Sequence, residues 1–408
     1  MNPLPNPWTT ARSLLAAAVA GSVLTTAACT TEDMAEAMPS ATKSAPGDAA
    51  ELQRDADAIR DVGVTGVQVR LVAADGGSTV VTSGVADIVS KSQVPADGHF
   101  RMASATKTFT ATVVLQLVGE GRLALDDTVD KWLPGLLRDN GNDSSKITVR
   151  QLLNHTSGVV YVPRIQLSSP TDYQQYANSA PPSPEQQVAD AAGRNPNFAP
   201  GTGWSYSNTG YLLLGMIIDK VTGHQWYEEV NSRIIEPLDL EDTSYPATAI
   251  TVPIPHATGY TQWSTGRLVD TTESRIGELA GAAGGLITTT ADLNTFFLAL
   301  FGGKLLRPEQ LAEMKRTVDT DPVIRSIFPG ARYGLGVFSV ELSCGGRYWM
   351  HGGDITGYKT RDGVTDDGTH SVVVSMSTLL QDTEDHQLAQ EKAAATLIDH
   401  ALCRTRKN

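Results

Sequence analysis

The sequence predicts an α/β (α+β) chain, an antiparallel sheet flanked by helices and interrupted by a mostly helical insertion. Three observations point there. Two β-like runs, VTGVQVRLV and STVVTSGVAD, are separated by the turn signal ADGGS, which describes an antiparallel hairpin. The last third carries further strand-like pieces, YGLGVFSVEL, RYWMHGG and HSVVVSMSTL, followed by the helical EDHQLAQEKAAATLIDHAL. Between these regions, helical stretches such as ITVRQLLNHTSG and TGYLLLGMIIDKVTG alternate with loops rich in Pro, Ser and Gln. With 408 residues, 41% hydrophobic and 19% charged, the chain has enough apolar surface to bury a sizeable core.

At the N-terminus Arg12 precedes the apolar run SLLAAAVAGSVL, and small residues lead on to TTAAC, the pattern of an export signal. The run is too short to favour a spanning helix. Cys29 after Ala27 and Ala28 resembles a bacterial lipobox, although Thr26 stands where Leu is usual. Residues 1–29 are therefore expected to be a signal peptide ending at a lipidated Cys29, with plain secretion as the alternative. Residues 30–49, mostly Ala, Ser, Thr, Pro, Gly and acidic side chains without apolar period, read as a flexible tether. Order is expected to begin at ELQRDADAIRDVG, a helical pattern, followed by the hairpin. HFRMAS then leads into ATKTFTATVVLQLVGEG, where Phe109, Val113, Val114, Leu117 and Val118 recur at helical spacing. Residues 50–122 and 281–408 are assigned to the sheet domain and 123–280 to the helical one.

A net charge of −13 and the lack of any Lys/Arg-rich block argue against nucleic acid as a partner. No tight His, Cys or acidic cluster has metal-ligand spacing, and no glycine-rich phosphate loop follows a strand, so neither metal nor cofactor is expected. The chain has three cysteines. If Cys29 carries lipid, Cys344 and Cys403 remain as a pair in a compartment where disulfides persist, and a bridge is expected; two buried free thiols are the alternative.

The tetrapeptide SATK occurs twice, at Ser40–Lys43 and Ser104–Lys107. The first copy lies in the tether, where a mobile, solvated Ser and Lys hold no geometry and gain no pKa shift. The second opens a buried helix. Ser104 and Lys107, three apart, share a face that continues through apolar positions, so the lysine is desolvated and its neutral, basic form is favoured. A neutral amine beside a hydroxyl can accept its proton, as an activated nucleophile requires. Tyr206 and Asn208 follow a Pro-Gly turn and directly precede an apolar helix; Tyr176 and Asn178 repeat the pattern in a polar loop and read as a decoy. A phenol near a lysine ammonium ionises more easily and shuttles protons, while an asparagine amide donates and accepts hydrogen bonds. Further on, His351-Gly352-Gly353 stands at the end of a strand, where glycine admits close approach of a ligand to the backbone.

With Ser104/Lys107, Tyr206/Asn208 and His351/Gly353 in this order, the chain resembles the serine penicillin-recognising hydrolases of the serine beta-lactamase-like superfamily. The likeness is to the branch of class C β-lactamases, actinomycete-type D-alanyl-D-alanine carboxypeptidases and related esterases. It runs from about residue 55 to 403 and includes LLNHTSG, PGTGWSYSNTGY and AAGGLITTTADL. The resemblance implies the β-lactamase/transpeptidase-like fold, Ser104 as acylated nucleophile, Lys107 as its proton acceptor and Tyr206 as acid/base on the leaving amine and incoming water. It further implies that Asn208 binds the substrate's amide carbonyl and that the N–H groups of Ser104 and Asp354 form the oxyanion hole. His351 would keep the site electropositive when protonated or donate to Tyr206 when neutral. Cys344 and Cys403 match the single disulfide of the carboxypeptidase. Gly352 departs from the usual Thr or Ser, whose hydroxyl helps hold a terminal carboxylate; Thr356 or Arg361 would have to compensate.

His155 reads as a structural turn residue, and Trp204 and Trp349 as cleft-lining or core residues. The expected function is an exported D-alanyl-D-alanine carboxypeptidase acting on peptidoglycan stem peptides. An esterase or β-lactamase on the same scaffold, or a non-catalytic lipid-tethered binder of cell-wall peptide, are the alternatives. The expected partner is a small peptide or β-lactam, with membrane contact only through a lipid at Cys29.

Overall fold

The computed structural model describes residues 46–162, 167–177 and 179–404. The signal peptide, Cys29, most of the tether with Ser40 and Lys43, and Asn178 lie outside these residues. Among the described residues no helix is long and apolar enough to cross a membrane.

A nine-stranded sheet organises the chain. In order it runs Ser78–Gly84, Gly66–Val72, Ser371–Met376, Tyr358–Thr365, Arg347–Met350, Phe338–Glu341, Arg332–Tyr333 and Val318–Asp319, with Gly353–Ile355 also on Tyr358–Thr365. Every pairing is antiparallel. The expected hairpin forms as Gly66–Val72 and Ser78–Gly84. Its first strand then pairs with Ser371–Met376, Val69 opposite Val374, so the N-terminal hairpin and the C-terminal strands share one sheet.

Alternation along these strands builds two cores. Val372, Val374 and Met376 join Leu52, Ile59, Leu397 and Ile398, the buried faces of helices Pro46–Asp61 and Glu384–Arg404. Val373, between them in sequence, faces the larger core with Phe109, Phe296 and Leu214. Both faces of the sheet are covered, which is why Ser371–Met376 is buried at every position.

Helix Thr106–Gly119 is buried on nearly all sides within the larger core, and Asn208–Thr222 packs beside it. Several strands were not legible in the sequence. Tyr260–Ser264 and Arg267–Asp270 form a hairpin in the stretch expected to be mostly helical, paired to Thr378–Leu380. Tyr358–Thr365, YKTRDGVT, hides a central strand because Lys359, Arg361 and Asp362 sit at buried positions. Cys344 and Cys403 are disulfide-bonded, tying the turn after Phe338–Glu341 to the last turn of the C-terminal helix.

Candidate active site

Ser104 lies in the single turn Ala103–Ala105 that runs into helix Thr106–Gly119. The residue before it, Ala103, is left-handed with φ 50°, a conformation that an alanine keeps only where its surroundings impose it. Strand Gly353–Ile355 imposes it. A Cβ on Gly353 would stand 2.2 Å from the Met102 carbonyl oxygen and 2.7 Å from the Ser104 nitrogen, so glycine alone allows this approach. The hairpin that closes with Ile355 opposite Tyr358 makes Asp354 a non-bonded position opposite Lys359, leaving the Asp354 N–H turned off Tyr358–Thr365. The amides of Ser104 and Asp354 are thereby neighbours at one end of a cleft of about 300 Å³.

Lys107, the second residue of the helix and one turn beyond Ser104, is fully buried. Its Nζ lies 3.1 Å from Ser104 Oγ, 2.7 Å from Asn208 Oδ1 and 2.6 Å from the Ala283 carbonyl oxygen. Burial with no facing carboxylate drives its pKa well below the usual lysine value. The three neighbours fit a neutral amine: two N–H donors go to Asn208 Oδ1 and the Ala283 carbonyl, and the lone pair is left for the Ser104 hydroxyl. Asn208 thus orients the lysine through its oxygen and keeps its NH₂ for a carbonyl in the cleft, which it also lines. Ala283 is a residue that sequence reasoning did not single out. The AAGG segment reaches the lysine because Thr110 Oγ1 donates to the Ala282 carbonyl and the Leu286 N–H donates to Thr106 Oγ1.

Tyr206 sits immediately before helix Asn208–Thr222, whose N-cap is Ser207. Lys107 Nζ is 4.8 Å from its ring centroid, and the Ser104 hydroxyl is its hydrogen-bonding neighbour. Burial raises the phenol above the ordinary tyrosine value, outweighing the Ser104 contact. Burial thus works against the expected easily ionised phenol beside an ammonium: it disfavours the charged form of both Lys107 and Tyr206.

His351 departs from both roles expected of it. Its ring is buried, its Nε2 is 3.0 Å from Tyr333 Oη, and its Nδ1 is 2.9 Å from the Gly352 carbonyl oxygen. The Tyr206 ring stands off at 6.2 Å between centroids. Burial lowers the imidazole to about 3, so it is neutral and adds no positive charge. With Nδ1 donating to a carbonyl, Nε2 accepts from Tyr333 rather than donating to Tyr206. Opposite it, Asp362 Oδ1 accepts the His351 backbone N–H at 2.8 Å, which interrupts the strand there.

The Gly352 departure has a steric cause. A Cβ at Gly352 would stand 2.7 Å from the Thr360 carbonyl oxygen and 2.9 Å from Arg361 Cδ and Nη1. Arg361 fills the space, but it does not face the cleft as a free cation. Its guanidinium holds Asp354 Oδ1 at 2.7 Å and Glu391 through Nε and Nη2 at 2.5 Å, while Lys359 Nζ bridges Asp354 Oδ2 at 3.1 Å and Glu391 Oε2 at 2.7 Å. Two cations and two carboxylates close on each other, and the half-exposed Asp354 is the member that reaches the cleft. The charges of Arg361 and Lys359 hold its carboxyl far below the usual range. Thr356 lines the same cleft with a buried hydroxyl that has no partner.

Neither tryptophan lines the cleft. Trp349 stacks on Phe301 at 5.7 Å and donates to Asp366 Oδ1 at 2.7 Å, and Trp204 packs against the His155 ring at 5.8 Å. Tyr176 of the decoy is buried elsewhere.

A family model described as Beta-lactamase matches residues 30–397. Penicillin-binding protein 4* of Bacillus subtilis (strain 168) is 33% identical over 182 residues, 42% of this chain and 37% of that protein. Esterase EstB of Burkholderia gladioli is 32% identical over 173 residues, 40% of this chain and 42% of that one. The chain thus spans under half the length of these two relatives. Among solved structures, a D-stereospecific amidohydrolase from Streptomyces sp. is 38% identical with a TM-score of 0.75, over 84% of this chain and 98% of that one. The D-amino acid amidase from Ochrobactrum anthropi SV3 with L-phenylalanine amide has a TM-score of 0.75 at 28% identity, over 89% and 99%. By its sheet, its ordered motifs and a match over residues 30–397, the chain belongs to the Beta-lactamase family of serine hydrolases.

Proposed function

We propose that this chain is an exported acyl-enzyme hydrolase of amides and esters whose acyl donor lacks a terminal carboxylate, D-amino acid amides being the first class to test. Lys107 takes the Ser104 proton as Oγ attacks the carbonyl carbon, and the oxyanion forms between the Ser104 and Asp354 N–H groups. Tyr206 gives its proton to the leaving nitrogen and regains one from the Lys107 ammonium, so the Ser104 proton ends on Tyr206 and Lys107 is neutral again. Water then enters with Tyr206 and Lys107 accepting its proton, and Ser104 Oγ is reprotonated as the acid departs.

One observation carries the substrate reading. Among the described residues lining the cleft the charged side chain is Asp354, and the cations behind it are committed to Asp354 and Glu391. A carboxylate beside Ser104 would meet an anion instead of a cation. Leu212, Ile276, Leu279 and Ile355 give the cleft an apolar wall for the acyl side chain. The likeness to a D-stereospecific amidohydrolase over 98% of its chain supports the same choice. Carboxypeptidase action on stem peptides is the second reading, favoured by the free Thr356 hydroxyl and the partial likeness to penicillin-binding protein 4*. An export-type N-terminus and the Cys344–Cys403 bridge support a place outside the cytoplasm.

The test compares D-phenylalanine amide, a small aryl ester and diacyl-Lys-D-Ala-D-Ala with the wild-type enzyme and Ser104→Ala. Amide and ester turnover should depend on Ser104, with the tripeptide at least about a hundredfold poorer in kcat/KM. Release of D-alanine from the tripeptide as fast as amide hydrolysis would install the carboxypeptidase reading instead.

A further inference from the structure

The acyl-transfer steps leave the buried imidazole of His155 without a task. Tyr206, by contrast, needs a fixed backbone that its own segment does not provide. Residues 203–207 are neither helix nor strand, so the amides flanking Tyr206 have no partners from regular structure. Both find His155. The Ser205 N–H donates to the His155 carbonyl at 3.0 Å, and the Ser207 N–H donates to His155 Nδ1 at 3.2 Å. The imidazole also lies 4.4 Å from the Tyr206 ring, centroid to centroid.

The turn that carries His155 is itself fixed. The Gly201 N–H donates to the Thr156 carbonyl at 2.8 Å and the Asn197 N–H to the Gly158 carbonyl at 2.9 Å, so the turn is bonded to the chain on both sides of the Pro-Gly corner. His155 adopts φ 62°, left-handed, which a histidine holds only when its neighbours demand it.

We propose that His155 is a positioning residue. By bracketing Tyr206 at both flanking amides and backing its ring, it sets where the phenol stands relative to the Ser104 hydroxyl. The assignment rests on Tyr206 acting as acid and base. It requires Nδ1 to be an acceptor, hence a neutral ring with its proton on Nε2. Enclosure by Trp204, Tyr206, Tyr211 and Tyr333 buries the ring, and that burial lowers its pKa well below the usual histidine value and favours the neutral form.

Asparagine discriminates this role from simple filling. Its Oδ1 stands as many bonds from Cα as Nδ1 does and it tolerates left-handed φ, whereas glutamine puts the acceptor one bond farther out. His155→Asn should keep kcat on a small aryl ester within about fivefold, and His155→Gln should lower kcat at least about thirtyfold with KM changed less than about threefold. In a Tyr206→Phe background the glutamine variant should cost almost nothing more, because both changes disable one group. Equal Asn and Gln variants, or independent losses in that cycle, would overturn the proposal. Should a variant fail to fold, the imidazole ¹H–¹⁵N spectrum of the wild-type enzyme decides: His155 must be the Nε2–H tautomer, and an Nδ1–H tautomer refutes the clamp. A Tyr206→Phe enzyme with wild-type turnover would instead remove the acid/base reading beneath it.

Discussion

Replacing Gly352 by threonine would restore the residue usual in carboxylate-binding relatives, and the geometry predicts that it damages the fold. The new Cβ meets the Thr360 carbonyl oxygen at 2.7 Å and Arg361 Cδ and Nη1 at 2.9 Å. Thr360 belongs to a central strand and cannot retreat; Arg361 can move only by releasing Asp354 and Glu391. If the guanidinium holds and the backbone yields, overpacking costs about 1–3 kcal/mol. If it swings out, the buried Glu391 and the half-exposed Asp354 are left with Lys359 alone, and the cost rises to about 3–5 kcal/mol. Alanine already carries the offending Cβ, so Gly352→Ala should show most of the loss. Urea unfolding followed by tryptophan fluorescence measures it as a lower midpoint at unchanged slope. Gly352→Ala within about 0.5 kcal/mol of wild type would refute the claim that Arg361 occupies this space.

Four further outcomes are expected. Lys107→Met and Tyr206→Phe should each slow acylation of Ser104 by about 10²–10⁴-fold while the protein stays folded, read by stopped-flow with a chromogenic ester. Glu391→Gln leaves Lys359 and Arg361 facing Asp354 alone and should lower unfolding free energy by about 3–5 kcal/mol, measured by denaturant titration. Asp362 is pushed by burial to about 7 from its ordinary 3.8, so it holds a proton in the native state that the unfolded chain has lost. Its contribution is therefore intact below about pH 4 and declines by about 4 kcal/mol as pH rises to about 7; Asp362→Asn should flatten that slope in melts between pH 5 and 8. Reducing Cys344–Cys403, which closes a separation of 59 residues, should cost about 4 kcal/mol, visible as a lower midpoint in dithiothreitol.

The side chains that meet around Lys107 were legible because each announces itself locally. Ser104 and Lys107 lie one helical turn apart, and Tyr206 and Asn208 flank a helix N-cap, so short spacing carried their geometry. The hairpin and the valine-rich Ser371–Met376 followed from period and β-branching. What stayed hidden depends on partners distant in sequence. Tyr358–Thr365 did not read as a strand because its Lys and Arg find compensation in Asp354 on the adjoining hairpin strand and in Glu391 on the last helix. The absence of a hydroxyl at position 352 looked like a missing substrate contact until Arg361 was found filling the space. Likewise His351 could be placed at a strand end, but nothing in the local sequence paired it with Tyr333.

Strand Gly66–Val72 lies between a neighbour close in sequence, Ser78–Gly84, and one from the far end of the chain, Ser371–Met376. The nucleophile's companion amide, that of Asp354, also arrives late in synthesis. A growing chain therefore possesses Ser104 and Lys107 early and brings the Asp354 amide, the second donor of the proposed oxyanion hole, beside them only when its final strands dock. Such sequence-distant pairing makes folding slow relative to helix formation. On the proposed mechanism hydrolysis would belong to the finished molecule, and a chain stopped short of residue 376 should stay inert in the ester assay.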